Sequence, residues 1–255
     1  SGQVDVAALE ALIDDRTKLI AVTHVPTSGG LVTPAAEIGK VARKHGVPYL
    51  LDACQSAGQM PLDVQELGCD FLSATGRKFL RGPRGTGFLY ASKAIMERHE
   101  PPVLDLHSAE WVAPDRYEMA ATARRYENWE NYIAGKVGLG VAVDYALSWG
   151  LENIQERNRL LADDLRERLG MIPGVTVRDA GVDRCAIVSF SHDRYKPEEV
   201  MQRLADQGIA IGNSAPGSTR LDFEARRLPD LCRASVHYLN TEEEVALLAA
   251  AVAGL

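Results

Sequence analysis

The 255-residue sequence predicts an α/β protein with a mostly parallel sheet. Three observations carry that expectation. Short apolar runs alternate with stretches of helical periodicity. Several runs lack the polar alternation of a half-exposed strand, as strands buried on both faces do. Two of them lead to polar residues, Asp52 and Thr75, at the strand ends where open α/β sheets bind ligands.

Residues 6–14 place Val6, Leu9, Leu12 and Ile13 on one helical face. Residues 18–25 (KLIAVTHV) form a β-rich run closed by Pro26. Residues 34–45 carry Ile38, Val41 and Ala42 on one face, with Pro34 suited to a helix start and Gly46 to its stop. Strands are expected at 47–51 (VPYLL), 71–74 and 87–90. A helix over 135–149 leads into a charged second helix over 151–169, ended by Pro173 and Gly174. The rest alternates again, with strands at 175–178, 186–191, 209–211 and 233–238 and a helix at 197–207. Thr241 followed by Glu244 has capping-box spacing and opens a final helix. Residues 1–149 therefore read as one α/β unit, and residues 150–255 as a separate, smaller C-terminal α/β domain.

Composition narrows the function classes. Lys plus Arg number 28 against 35 Asp plus Glu, a net charge of −7 that argues against a nucleic-acid binder. The longest uncharged stretch, 19–36, is broken by Pro26, Gly29, Gly30 and Pro34, and the apolar run 245–255 is too short to span a bilayer. Cys54, Cys69, Cys185 and Cys232 lack C-x-x-C spacing and read as reduced intracellular thiols, so the cytoplasm is the expected location. The six histidines make no H-x-x-x-H or H-E-x-x-H pattern, so no metal site is expected. A G-x-S-x-G nucleophile elbow is absent.

Three segments concentrate reactive side chains: HVPTSGG at 24–30, DACQSAG at 52–58 and SATGRKFLRGPRGTG at 73–87. The last sets Lys78 among Arg77, Arg81 and Arg84 with several glycines, a composition suited to phosphate. Alone it reads equally as a basic surface turn, and it is not a P-loop. Together with Asp52 and Gln55 it matches what pyridoxal phosphate (PLP) requires. That cofactor needs a lysine for a Schiff base, an acid beside its ring nitrogen and donors for its phosphate. Arg77 and the cationic ring nitrogen would lower the lysine's pKa.

These segments resemble the class V aminotransferase family of fold-type I PLP enzymes, which includes cysteine desulfurases, selenocysteine lyases and isopenicillin epimerase-like enzymes. The resemblance spans nearly the whole chain. It rests on D-x-x-Q, on S-x-x-x-x-K followed by G-P-x-G-x-G, and on R-x-S-x-x-x-x-N-T-x-x-E, in the family's order. It implies Lys78 as the Schiff-base lysine, Asp52 against the pyridinium nitrogen, and Gln55 and Thr27 at the phenolic oxygen. Thr75 and Arg77 would hold the phosphate, and Arg233 the substrate α-carboxylate. It also implies a homodimer acting on a small amino-acid substrate, with Lys78 as general base at Cα.

Departures from the family pattern set limits. The stretch 209–220 (IAIGNSAPGSTR) lacks the mobile sulfur-accepting cysteine of desulfurases, which disfavours persulfide chemistry. Cys54 and Cys232 read as small buried residues. Transamination, β-elimination such as C–S lysis, and epimerisation stay open. Arg77 stands where desulfurases usually carry His. Trp129–Glu130 replaces a G-T pair that reaches the neighbouring subunit's phosphate. Relative to the family, the chain looks like the C-terminal two-thirds of an enzyme lacking the N-terminal part of the large domain. A non-catalytic fragment and a phosphate-ligand-binding domain are therefore the competing expectations.

Overall fold

The computed structural model describes residues 2–255. Helix α1 (Val6–Ala11) is capped by Asp5, whose carboxylate accepts from the Ala8 backbone N–H. Strand β1 (Ile20–Thr23) is followed by α2 (Ala35–His45), which stops at Gly46 in the left-handed region, φ +64°. Its buried face carries Ile38, Val41 and Ala42, the residues that its periodicity selects. Strand β2 (Tyr49–Asp52), helix α3 (Val64–Leu67) and strands β3 (Phe71–Thr75) and β4 (Gly87–Ala91) complete one sheet in the order β1-β2-β3-β4.

The pairs β1/β2 and β2/β3 are parallel and β3/β4 is antiparallel. The loop 76–86 contains no crossover helix, so β4 can only return alongside β3 in the opposite direction. The parallel register sets Thr23 opposite Asp52, and Asp52 opposite Ser73. Three strands thus discharge their carboxyl ends on one edge of the sheet.

Helix α4 (Lys93–Met96), the hairpin β5 (Ala109–Ala113) and β6 (Arg116–Met119), and a 3₁₀ turn (Ala123–Tyr126) follow. The hairpin is absent from the sequence expectation. Trp111 and Tyr117 are exposed, so no buried face imposed a readable alternation. Glu127 caps the 3₁₀ turn, and α5 (Ile133–Trp149) follows. Gly150, at φ +81°, separates α5 from α6 (Leu151–Gly170).

A second sheet, all antiparallel, has the order β7-β8-β10-β9, from β7 (Val175–Val177), β8 (Ile187–His192), β9 (Gly212–Ser214) and β10 (Leu231–Ser235). Helices α7 (Pro197–Ala205), α8 (Pro216–Arg226) and α9 (Glu242–Ala253) complete the chain. Leu161, Leu165 and Leu169 of α6 and Val245, Leu248 and Val252 of α9 enter one core with β8 and β10. Burying each leucine contributes about 1.5–3 kcal/mol.

Among the boundaries that differ from expectation, two have a visible cause. The strand placed at 209–211 falls at β9, three residues later. Ile209 and Ile211 pack half-buried against the core, and that apolar pair imitates a strand. The arginine strand ends at Ser235, because the His237 backbone N–H turns onto Asn240 Oδ1 at 2.8 Å. Among the described residues no helix is long and apolar enough to cross a membrane.

Candidate active site

Asp52 is the last residue of β2, and its Oδ1 accepts from the Cys54 N–H at 2.9 Å, starting the turn that delivers Gln55. The Gln55 Nε2 donates to Thr27 Oγ1 at 3.4 Å, joining the 24–30 loop to the 52–58 turn. The Gln55 carbonyl accepts from the Gln59 side chain, whose Oε1 in turn accepts from the Ala186 N–H at 3.2 Å. Buried His24 sits 3.0 Å from Ser56 Oγ through Nδ1, and burial pushes its pKa down to about 4.

The 24–30 loop is also bound to the second sheet. Gly29 N–H donates to Ser189 Oγ at 3.0 Å, and its carbonyl accepts from Ala180 N–H at 2.8 Å. Gly30 adopts φ +64°, and a Cβ there would lie 2.8–2.9 Å from the Ile187 carbonyl and from the buried Arg166–Asp179 ion pair. Only glycine suits both demands.

Lys78 follows β3 by three residues, in a loop closed by Gly82 N–H to the Gly76 carbonyl at 2.7 Å. Its own carbonyl accepts from Arg81 N–H at 2.8 Å, and Arg81 is one of two described non-glycine residues at positive φ (+57°). Gly58, at φ +89°, leaves room for this loop: a Cβ there would meet Leu80 N at 2.7 Å. Burial lowers the Lys78 pKa, and the cations Arg77 and Arg233 lower it further, against the opposing pull of Cys54 and Asp52.

Arg233 occupies the middle of β10, paired with Ser189 on β8 and Gly212 on β9. Its Nε is sealed from solvent and has no hydrogen-bond partner. Burial pulls its pKa below the ordinary value, the mark of a cation short of compensation.

Thr27, Asp52, Cys54, Gln55 and Lys78 line one cleft of about 540 Å³, a size that suits a small cofactor or substrate. Thr75 and Arg77 lie at the mouth of the same loop but outside this lining; Thr75 Oγ1 stands 3.5 Å from the Thr86 carbonyl, and Arg77 is exposed. Sequence reasoning missed Thr23, at the end of β1, and it misread Cys54. The thiol is not buried in the turn but lines the cleft beside Lys78. Cys232, by contrast, is buried at 1% exposure.

Residues 218–222 of α8 form the opposite wall. Thr219 breaks the helix there, at φ −149° and ψ +47°, and its hydroxyl is buried without a partner. The end of the cysteine-free stretch, residues 218–220, thus lines the same cleft as Lys78. Among the described residues no cluster of His, Cys, Asp or Glu could hold a metal ion.

A family model for Aminotransferase class-V matches residues 1–248. The chain belongs to the class-V aminotransferase family. This is a family of PLP enzymes of fold type I. The chain is 33% identical over 250 residues to a probable cysteine desulfurase of Methanothermobacter thermautotrophicus, covering 97% of this chain and 62% of that protein. It is 34% identical to a cysteine desulfurase of Yersinia pseudotuberculosis over 256 residues, covering 100% of this chain and again 62% of the relative.

Among solved structures, an apo cysteine desulfurase from Thermococcus onnurineus superposes with a TM-score of 0.92 at 28% identity, over 99% of this chain and 63% of that one. The cystine C-S lyase C-DES, in complex with its product cysteine persulfide, gives 0.83 at 27% identity, over 97% of this chain and 64% of that one. A variant of C-DES has been solved with glycine covalently linked to its PLP cofactor. This class-V chain therefore spans less than two-thirds of the length of these relatives.

Proposed function

We propose that this chain carries the PLP-binding and catalytic residues of an enzyme that removes the α-proton of an amino-acid substrate and then expels its β-substituent. One observation carries the reading: an amine of lowered pKa, Lys78, shares a single cleft with Asp52, Gln55 and Thr27, and feels the charge of Arg233, whose buried Nε has no partner. This donor set fits PLP. When bound, that cofactor supplies an aldehyde for an amine and a ring that draws electrons from the substrate Cα.

Lys78 has the two properties its role demands. Its Nζ is half-buried, which favours the neutral amine and so both covalent attachment and proton removal at Cα. The Asp52 carboxylate, held at the strand end by its bond to Cys54 N–H, would keep a ring nitrogen protonated. Gln55 and Thr27, joined to each other, would orient the ring through its phenolic oxygen. Thr75 and Arg77 would hold the phosphate, the latter through an exposed guanidinium free to turn. The orphaned Arg233 would take the substrate carboxylate, fixing Cα over Lys78.

Among the open branches, β-elimination is favoured by the wall that faces Lys78. Residues 218–222 read STRLD and contain no thiol, so a β-substituent would leave without transfer to that wall. C-DES, a cystine C-S lyase, has the same fold. Persulfide transfer to Cys54 is the second reading, because that thiol does line the cleft, although burial and Asp52 raise its pKa and weaken it as a nucleophile.

We also infer that the chain works in the cytoplasm as a homodimer, with residues 1–149 and 150–255 as its two units. The deciding experiment is borohydride reduction of the protein with PLP, with Lys78→Ala alongside. A visible absorbance band lost on reduction, with the label fixed at Lys78 and absent from a folded variant, is expected. No fixation in folded protein would overturn PLP catalysis by this chain and leave a phosphate-ligand domain or inactive fragment.

A further inference from the structure

Resting on the PLP reading, we propose that His237 is a positioning residue that ties the Arg233 strand to the turn presenting Lys78. His237 lies four residues after Arg233, and its ring is bonded to the residue next to Lys78. Its Nε2 is 3.2 Å from the Phe79 carbonyl. Its Nδ1 accepts from the Leu239 N–H at 3.4 Å. A neutral ring with its proton on Nε2 satisfies both contacts, so the two bonds select one tautomer.

Packing holds the ring in place. The imidazole lies parallel to the Phe79 ring, centroids 5.9 Å apart and planes 10° from parallel, with Tyr238 at 4.2 Å. Phe79 is itself 7% exposed, in the core beneath β8 and β10. The next residue back, Lys78, has its carbonyl tied to Arg81 N–H, and Arg81 lies over Tyr145 at 5.0 Å and Tyr238 at 5.9 Å. The Lys78 turn is therefore gripped by residues 237 and 238, which come from beyond β10 and not from its own sheet.

Burial lowers the His237 pKa, nearby Arg81 pushes the same way, and only the Phe79 carbonyl opposes them. The ring stays neutral and keeps its Nε2–H on that carbonyl. Arg233 and Lys78 are thus connected through one short run, 233–237, and one hydrogen bond. Residues 53–58 pack beside the same turn but make no such link to the arginine strand.

The test reads the Lys78 amine directly. Competitive labelling with acetic anhydride across pH gives its apparent pKa in cofactor-free protein, where Asp52, Cys54, Arg77 and Arg233 are unchanged. His237→Phe keeps the ring stack and removes the donor; His237→Gln keeps a donor; His237→Asn is polar but too short to reach Phe79. We expect His237→Phe and His237→Asn to raise the apparent Lys78 pKa and cut its labelling at fixed pH about threefold.

In the PLP-loaded protein these two variants should lower kcat about fivefold with KM within twofold, the scale of one lost hydrogen bond, while His237→Gln restores both. Labelling and kcat indistinguishable from the parent in either folded variant overturn the proposal. If borohydride fixes no PLP in the parent, the functional reading fails on its own, and the labelling arm, which needs no cofactor, still decides the role of His237.

Discussion

Arg233, on a strand flanked by β8 and β9 and with its buried Nε unpaired, costs folding energy that a bound carboxylate would offset. Arg233→Met is therefore expected to leave the thermal midpoint unchanged or raise it, while KM for the amino acid rises at least tenfold, the loss of a charge-assisted contact. A lower midpoint in differential scanning fluorimetry would refute the first half. Asp52→Asn keeps an oxygen for the Cys54 N–H and removes the charge. It should leave stability intact and reduce kcat by roughly 10²-fold, measured in steady-state kinetics. His24 contributes to acid sensitivity. Its pKa is about 4 folded against 6.5 unfolded. Above pH 6.5 neither state takes up the proton. Between 6.5 and 4 only the unfolded state does, so stability falls as pH falls, by up to about 3 kcal/mol. Urea titrations of His24→Gln should show that limb flattened.

At the scale of elements, the best-read pieces are those whose ends carry their own chemistry. Thr241 and Glu244 form both bonds of the capping box, and α9 begins where they place it. Thr241→Ala should cost about 1 kcal/mol in chemical denaturation, since it frees the Glu244 N–H. Helix α2 was equally readable, because Gly46 supplies the left-handed stop and Ile38, Val41 and Ala42 the buried face. The lysine loop and the Asp52 turn could be located because strand ends and glycine spacing mark them. The opposite wall could not. Nothing in STRLD shows that Thr219 breaks α8, or that this segment folds back over Lys78, since only tertiary contact decides it. Cys54 was misread for a related reason. A small apolar-looking residue between Asp52 and Gln55 is exposed or hidden according to what packs above the turn, and here that is an open cleft. The hairpin β5/β6 escaped because its residues make no buried stripe.

Across the whole molecule, α5 presents Ile133, Val137, Val141, Tyr145 and Trp149 to solvent at four-residue spacing, an apolar stripe of the kind that marks an interface. If the proposed homodimer uses it, Val137→Asp together with Val141→Asp should give a monomer in sedimentation velocity, with helical circular dichroism unchanged; a persisting dimer would place the interface elsewhere. The two sheets, meanwhile, are joined through the 24–30 loop, whose glycines bond to residues 180, 185 and 189. That union sets an order of events during synthesis. A chain emerging amino end first has all four described strands of its first sheet in hand by Ala91. Yet the loop that carries Thr27 waits for partners nearly a hundred residues further on. The pocket's rim is thus completed late, and the nascent chain passes through a stage in which Lys78 and Asp52 are present but the loop carrying Thr27 is held only by its local bonds, the one from Gln55 among them.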